Sequence, residues 1–193
     1  LAKNNGAAVV CSSSKTVGGV RNEGVSHSTG KVLVFLDADI EVGGGWGRII
    51  QDIYRKILIN DNAIYGSHPS ALGNINPILF CWYQGISMDT RNTHLGTGHM
   101  VVSRKTFDTI GGFDINLPSG EDFDFCTKAK MNDVSIVSLP ELVVFHHGYP
   151  GTFYNFLKRE IWHGQGDCTN LEKFFLSKVA ITGFLFLWLN LLF

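Results

Sequence analysis

The sequence predicts an α/β sandwich built on a mostly parallel sheet, and three observations carry that prediction. Residues 32–36, Val-Leu-Val-Phe-Leu, form an unbroken apolar run with no polar alternation, the pattern of a strand covered on both faces. Trp46, Ile49, Ile50, Ile53, Tyr54, Ile57 and Leu58 recur at three- and four-residue spacing, the pattern of a helix with one buried stripe. Segments of these two kinds then alternate along the chain, which favours helices packed on a sheet over an all-α or all-β fold.

Each element follows from its own residues. Residues 7–11 are a short apolar run followed by a polar loop, and residues 19–28 have helical character, with Gly30 expected at the C-cap. The strand at 32–36 ends in Asp37-Ala38-Asp39. After the helix of Trp46 and Leu58, residues 63–67 read as a strand. Residues 68–98 are loop-like around an apolar island at 77–83. Residues 99–103 read as a strand, and 104–110 as a helix stopped by Gly111 and Gly112. Ser119 with Asp122 three residues later has capping-box spacing, and opens a helix to about Asn132 with Phe123, Cys126 and Ala129 on one side. Strands at 135–139 and 142–145 flank Pro140, and Phe153, Phe156, Leu157 and Ile161 mark an amphipathic helix.

With 193 residues the chain fits one such domain plus an appendage. Its 16 Lys and Arg against 17 Asp and Glu give no long-range pull on nucleic acid, so a nucleic-acid partner is not expected. Cys11, Cys81, Cys126 and Cys168 are far apart and form no CxxC pair, which excludes a zinc ribbon and a small disulfide scaffold. Residues 1–170 read as the catalytic domain, and residues 171–193 as an apolar segment and candidate membrane helix. Residues 179–193 carry no charge and follow Lys173 and Lys178, so the expectation is a membrane-associated protein with its catalytic domain on the cytoplasmic side.

The carboxylates carry the chemistry. Two acids at the end of a buried strand need a cation, because unpaired buried charge costs several kcal/mol. Oxygen ligands suit Mg²⁺ or Mn²⁺, ions that hold diphosphate oxygens and stabilise a departing phosphate. Glu121 and Asp122 open a helix, where its N-terminus keeps a carboxylate ionised and able to accept a hydroxyl proton. His146 and His147 close a strand, and either ring can complete a metal site. Arg21, in a glycine-bearing stretch at 18–24, carries a planar fork suited to a phosphate or a base.

Taken together, Val20-Arg-Asn-Glu-Gly24, the Ser28-Thr-Gly30 turn and the apolar strand ending in Asp37-Ala-Asp39 resemble the central stretch of family 2 glycosyltransferases of the GT-A fold. Gly98 with residues 101–104 and 110–114, then Gly120-Glu-Asp122, then Val143-Val-Phe-His146 follow in that family's order. The resemblance covers most of residues 7–151. It implies a GT-A three-layer sandwich entered after the N-terminal strand-helix-strand that holds the nucleotide base. It implies a hexosyltransferase-type enzyme moving a sugar from a UDP-, GDP- or dTDP-sugar to a sugar or lipid-linked acceptor, metal-dependent and inverting. By position it implies metal at Asp39, with Asp37 at the metal or nucleotide, and His146 at the metal or a phosphate. Arg21 would lie near the nucleotide with Gly98 beside the donor, and Asp122 would be the base next to Glu121. The Gln-x-x-Arg-Trp motif of processive members is departed from at residues 158–165, which favours single addition. Two rivals stand beside this reading. One is a haloacid-dehalogenase-type phosphatase with Asp37 as nucleophile, and the other a truncated, non-catalytic membrane-associated domain.

Overall fold

The structure, a computed structural model, describes residues 2–71 and 94–167 and a few isolated positions beyond them. The island at 77–83, Cys81, Cys168 and most of 179–193 lie outside the described residues. Of the last stretch, Phe184, Leu185 and Trp188 are described and exposed. No helix of the described residues is long and apolar enough to cross a membrane.

The elements run α1 (Val17–Ser26), β1 (Val32–Leu36), β2 (Ile40–Val42), α2 (Trp46–Ile59), β3 (Ala63–Gly66), β4 (Ser70–Ala71), β5 (His99–Ser103), α3 (Arg104–Ile110), α4 (Glu121–Met131), β6 (Ser135–Ser138), β7 (Val144–His146) and α5 (Phe153–Asp167). The main sheet has the order β1-β5-β3-β6. β5 is antiparallel to both β1 and β3, while β3 and β6 are parallel. Three strands therefore share a direction and β5 runs against them. A smaller sheet has the order β2-β7-β4.

Strand alternation sends side chains into two separate cores. Leu33, Ile64, Met100 and Val102 face α1, α3 and α4, where Phe107, Phe113 and Phe125 pack with ring centroids 4.8 to 5.5 Å apart. Ala63, Tyr65 and Val101 face the other way, onto Ile53 and Ile57 of α2. Helices thus cover both faces of the sheet, as the alternation of segments predicts.

Several local expectations are corrected. β1 is not buried on both faces: Leu33 is covered, but Val34 and Leu36 are exposed and stand outside the cluster formed with α2. α1 ends at Ser26 with His27 at its C-cap, so Gly30 lies beyond the cap. Arg104 occupies that loop instead, donating to the carbonyls of Val25, Ser28 and Gly30. The cap of α4 is Gly120 in a left-handed conformation, not Ser119. The buried side of α4 is Glu121, Phe125, Cys126 and Ala129, and Phe123 points out, 59% exposed. α5 forms where predicted, but Phe153, Leu157 and Ile161 of its apolar stripe are exposed. The helix stop at Gly111 holds, with φ at 90°.

Candidate active site

The Arg21-Asn22 pair draws three elements together. Asn22 reads the backbone of Phe113 with both ends of its amide, donating to the carbonyl at 2.8 Å and accepting from the N–H at 3.0 Å. That seats α1 against the turn after α3. Arg21, one residue earlier, then points its guanidinium at two carboxylates: Asp37 Oδ1 at 2.7 Å and Glu121 Oε1 at 2.5 Å. The Arg21 side chain is only 13% exposed and that of Glu121 9%. Charge-assisted bonds in such a setting are strong and costly to break. Glu121 Oε1 also accepts from the Thr97 hydroxyl, at 3.3 Å.

Asp37 is held from its backbone as well, since its N–H donates to the carbonyl of Gly98 at 3.2 Å. A Cβ at Gly98 would sit 3.1 Å from Asp37 Oδ2. Gly98 thus leaves the carboxylate room beside the strand end. Arg21, Asp37, Gly98 and Glu121 therefore form one corner of the site.

Asp39 and His146 form another. β2 and β7 pair with Ile40 opposite His146, and the His147 N–H donates to the Asp39 carbonyl at 2.9 Å. This register brings His146 Nε2 to 3.6 Å from Asp39 Oδ2. Burial lowers the His146 pKa below the usual imidazole value, against the pull of Asp39. The neutral ring accepts the Gly148 N–H at Nδ1, 3.0 Å away, so its Nε2 proton points toward Asp39. His147 turns away and pairs with Glu41 at 2.7 Å, leaving His146 as the histidine facing the acid. Gly148 completes the corner: a Cβ there would fall 2.0 Å from Asp39 Oδ2 and 2.8 Å from His146 Cε1. Any side chain at 148 would fill the space in front of both donors.

The Asp39 carboxylate is a hard oxygen donor suited to Mn²⁺ or Mg²⁺, and His146 would join it through Nε2 in the tautomer that gives up the Gly148 N–H bond. Two protein donors leave further positions for water and diphosphate oxygens. Among the described residues no group of three or more His, Cys, Asp or Glu side chains gathers to hold a metal. Asp37 meets Arg21 through Oδ1, and its Oδ2 lies beside Gly98.

Asp122 stands apart from its neighbour Glu121. Its Oδ1 accepts from the Phe123 N–H at 2.8 Å, and its Oδ2 faces Gly96, whose Cβ would lie 3.6 Å away. Asp124 is paired with Lys128 at 2.7 Å and serves the helix.

One polar group here was not foreseen from the sequence. His99, fully buried, accepts from Trp46 Nε1 at 2.9 Å on one nitrogen and reaches the Ser67 hydroxyl at 2.7 Å with the other. Ser67 donates onward to the Leu142 carbonyl at 2.6 Å, so His99 Nδ1 must carry the proton that Ser67 accepts. Burial lowers its pKa to about 4, and the ring is neutral. This chain ties α2 and the 142 loop to the start of β5, whose preceding residue holds Asp37. The signal was a histidine opening an otherwise apolar strand.

Known proteins share this fold. No family model matches the chain. A polypeptide N-acetylgalactosaminyltransferase 11 from Xenopus tropicalis is 27% identical over 162 residues, covering 68% of this chain and 27% of that protein. Among solved structures, the mannosyltransferase PcManGT from Pyrobaculum calidifontis, in complex with GDP-Man and Mn²⁺, matches with a TM-score of 0.55 and 16% identity, over 79% of this chain and 41% of that one. GalNAc-T7 with UDP, GalNAc and Mn²⁺ matches with a TM-score of 0.52 and 16% identity, over 75% and 34%. The chain spans well under half of each of these proteins. The fold they share with it matches the layers and the mixed sheet described above, and the chain carries the GT-A fold of nucleotide-sugar glycosyltransferases.

Proposed function

We propose that this chain is the catalytic part of a glycosyltransferase that moves a sugar from a nucleotide diphosphate donor to an acceptor hydroxyl with inversion. The observation that carries the reading is the division of labour between the two neighbouring acids at the start of α4. Glu121 is committed to Arg21 and Thr97, whereas Asp122 keeps one oxygen toward the loop at Gly96.

Asp39 and His146 would hold the divalent ion, Mn²⁺ or Mg²⁺. Bound there, it would neutralise charge on the donor diphosphate and on the departing nucleotide. Arg21 holds the carboxylate of Asp37, and the Gly98 carbonyl holds its backbone N–H. Asp122 takes the proton of the acceptor hydroxyl as that oxygen bonds to the sugar carbon and the diphosphate leaves. A single displacement needs one such base and inverts the configuration. The GDP-Man and Mn²⁺ named for PcManGT, and the UDP, GalNAc and Mn²⁺ named for GalNAc-T7, support this reading. The phosphatase alternative gains nothing from the geometry, because its nucleophile would be Asp37, which is held by Arg21.

The test is a pair of substitutions in the full-length polypeptide. Asp122→Asn should keep donor affinity within a few-fold and lose roughly a hundred- to ten-thousand-fold in transfer rate. Glu121→Gln should not reproduce that separation, because it disturbs the Arg21 corner. Transfer by Asp122→Asn at the parental rate, or a product retaining the donor's anomeric configuration, overturns the assignment.

A further inference from the structure

The helical spacing of α4 would bury Phe123, yet the ring stands out of the helix at 59% exposure, directly after Asp122. Its position is fixed at both ends. The Phe123 N–H is donated to Asp122 Oδ1, coupling the orientation of the carboxylate to the residue that bears the ring. The ring meets His94 edge to face, with centroids 5.7 Å apart and planes at 68°. His94 in turn meets His68 at 6.4 Å and 77°. The result is a row of three rings beside a carboxylate, with the outermost ring presented to solvent. Part of the phenyl ring is thus left in water, an apolar surface that folding alone does not use.

We propose that Phe123, braced by His94, is the stacking platform of an acceptor subsite, and that the acceptor it takes is a sugar ring rather than a bare peptide hydroxyl. The proposal rests on the reading of Asp122 as the residue that meets the acceptor hydroxyl. A pyranose has one face rich in C–H bonds and an equator of hydroxyls. An aromatic face next to a carboxylate matches both: the C–H face lies on the ring, with weak C–H contacts to its electron-rich side, while an equatorial hydroxyl reaches the acid. A peptide hydroxyl on Ser or Thr carries no such flat apolar face. Gly96, opposite Asp122 Oδ2, puts no side chain of its own between loop and helix.

Saturation-transfer NMR on the full-length polypeptide tests this with two probes, methyl glycosides of glucose, galactose and mannose, and an unglycosylated Ser/Thr peptide. The parental protein should transfer saturation to the ring C–H protons of at least one glycoside. Phe123→Ala should weaken that binding about five- to tenfold, while Phe123→Trp keeps it within a few-fold. Because the side chain is exposed, neither substitution threatens the fold, and a thermal melt of each verifies that. Asp122→Asn should still bind the glycoside, which separates this inference from the identity of the base. Three results overturn it: Phe123→Ala binding as well as the parent, Phe123→Ala and Phe123→Trp failing alike, or Phe123-dependent binding of the peptide and of none of the glycosides.

Discussion

Asp37 and Asp39 are two residues apart in one motif and lead different lives. Asp37 is inside the scaffold: Arg21 grips its carboxylate, the Gly98 carbonyl receives its N–H, and the same guanidinium reaches on to Glu121. Asp39 faces a histidine across an open gap that only a glycine at 148 leaves clear. The pair Glu121 and Asp122 repeats the pattern, one acid tied and the next available. In both motifs one carboxylate is tied into the Arg21 cluster while its neighbour is less engaged. The lesson is that adjacent acids in a motif need not share a role, and burial with hydrogen bonding tells them apart.

Breaking the tied side should have the largest effect. Arg21→Met leaves Glu121 and Asp37 without their cation, one of them nearly buried. Removing one partner of such a cluster costs about 3–5 kcal/mol, read as a drop in denaturation midpoint at unchanged slope. A loss below about 1 kcal/mol would show that the corner does not hold the fold. The free side should respond in the opposite sense. Asp39→Asn should leave the melting temperature without metal nearly unchanged and weaken Mn²⁺ binding by about a hundredfold, close to 2.7 kcal/mol, in calorimetry. Unaltered Mn²⁺ affinity would remove Asp39 from the metal corner.

A smaller effect sharpens the comparison through His99, which braces the scaffold side. Its folded pKa of about 4 lies below the usual 6.5, so the unfolded chain binds the proton first as the pH falls. The stability this group contributes is complete above pH 6.5 and is lost as the pH drops toward 4. Between pH 6.5 and 5 the loss should be roughly 1.5 kcal/mol. His99→Gln should flatten that part of the stability profile. An equal slope in the variant would assign it to other groups.

Much of this was readable beforehand, and the misses have physical causes. The apolar run ending in Asp37-Ala38-Asp39, the helix of Trp46 and the stop at Gly111 depend on local pattern and local backbone preference, and all three appear. Strand direction is not a local property, so nothing in residues 99–103 announces that β5 runs against its neighbours. The orientation of α4 was misjudged because Phe123 and Phe125 are equally apolar, and tertiary packing chose Phe125 for the core. Glu121 and Asp122 are indistinguishable in composition, and only Arg21, a hundred positions away, separates them. His99 was passed over because a buried neutral histidine is recognised by its partners, Trp46 and Ser67, which lie far off in sequence.

The reversed strand also governs when this protein can become a sheet. β1 pairs Val32 with Ser103, and β3 pairs Ile64 with Val102, so β5 is the shared partner of both. During synthesis the first two strands leave the ribosome with no partner for each other, since the strand between them is made later. Their edges stay open until residues 99–103 emerge. Long-range closure of this kind is slow and leaves unpaired strands exposed to other chains. The same closure seats Gly98 against Asp37, so the corner built on Arg21 is assembled in the moment the nascent sheet shuts.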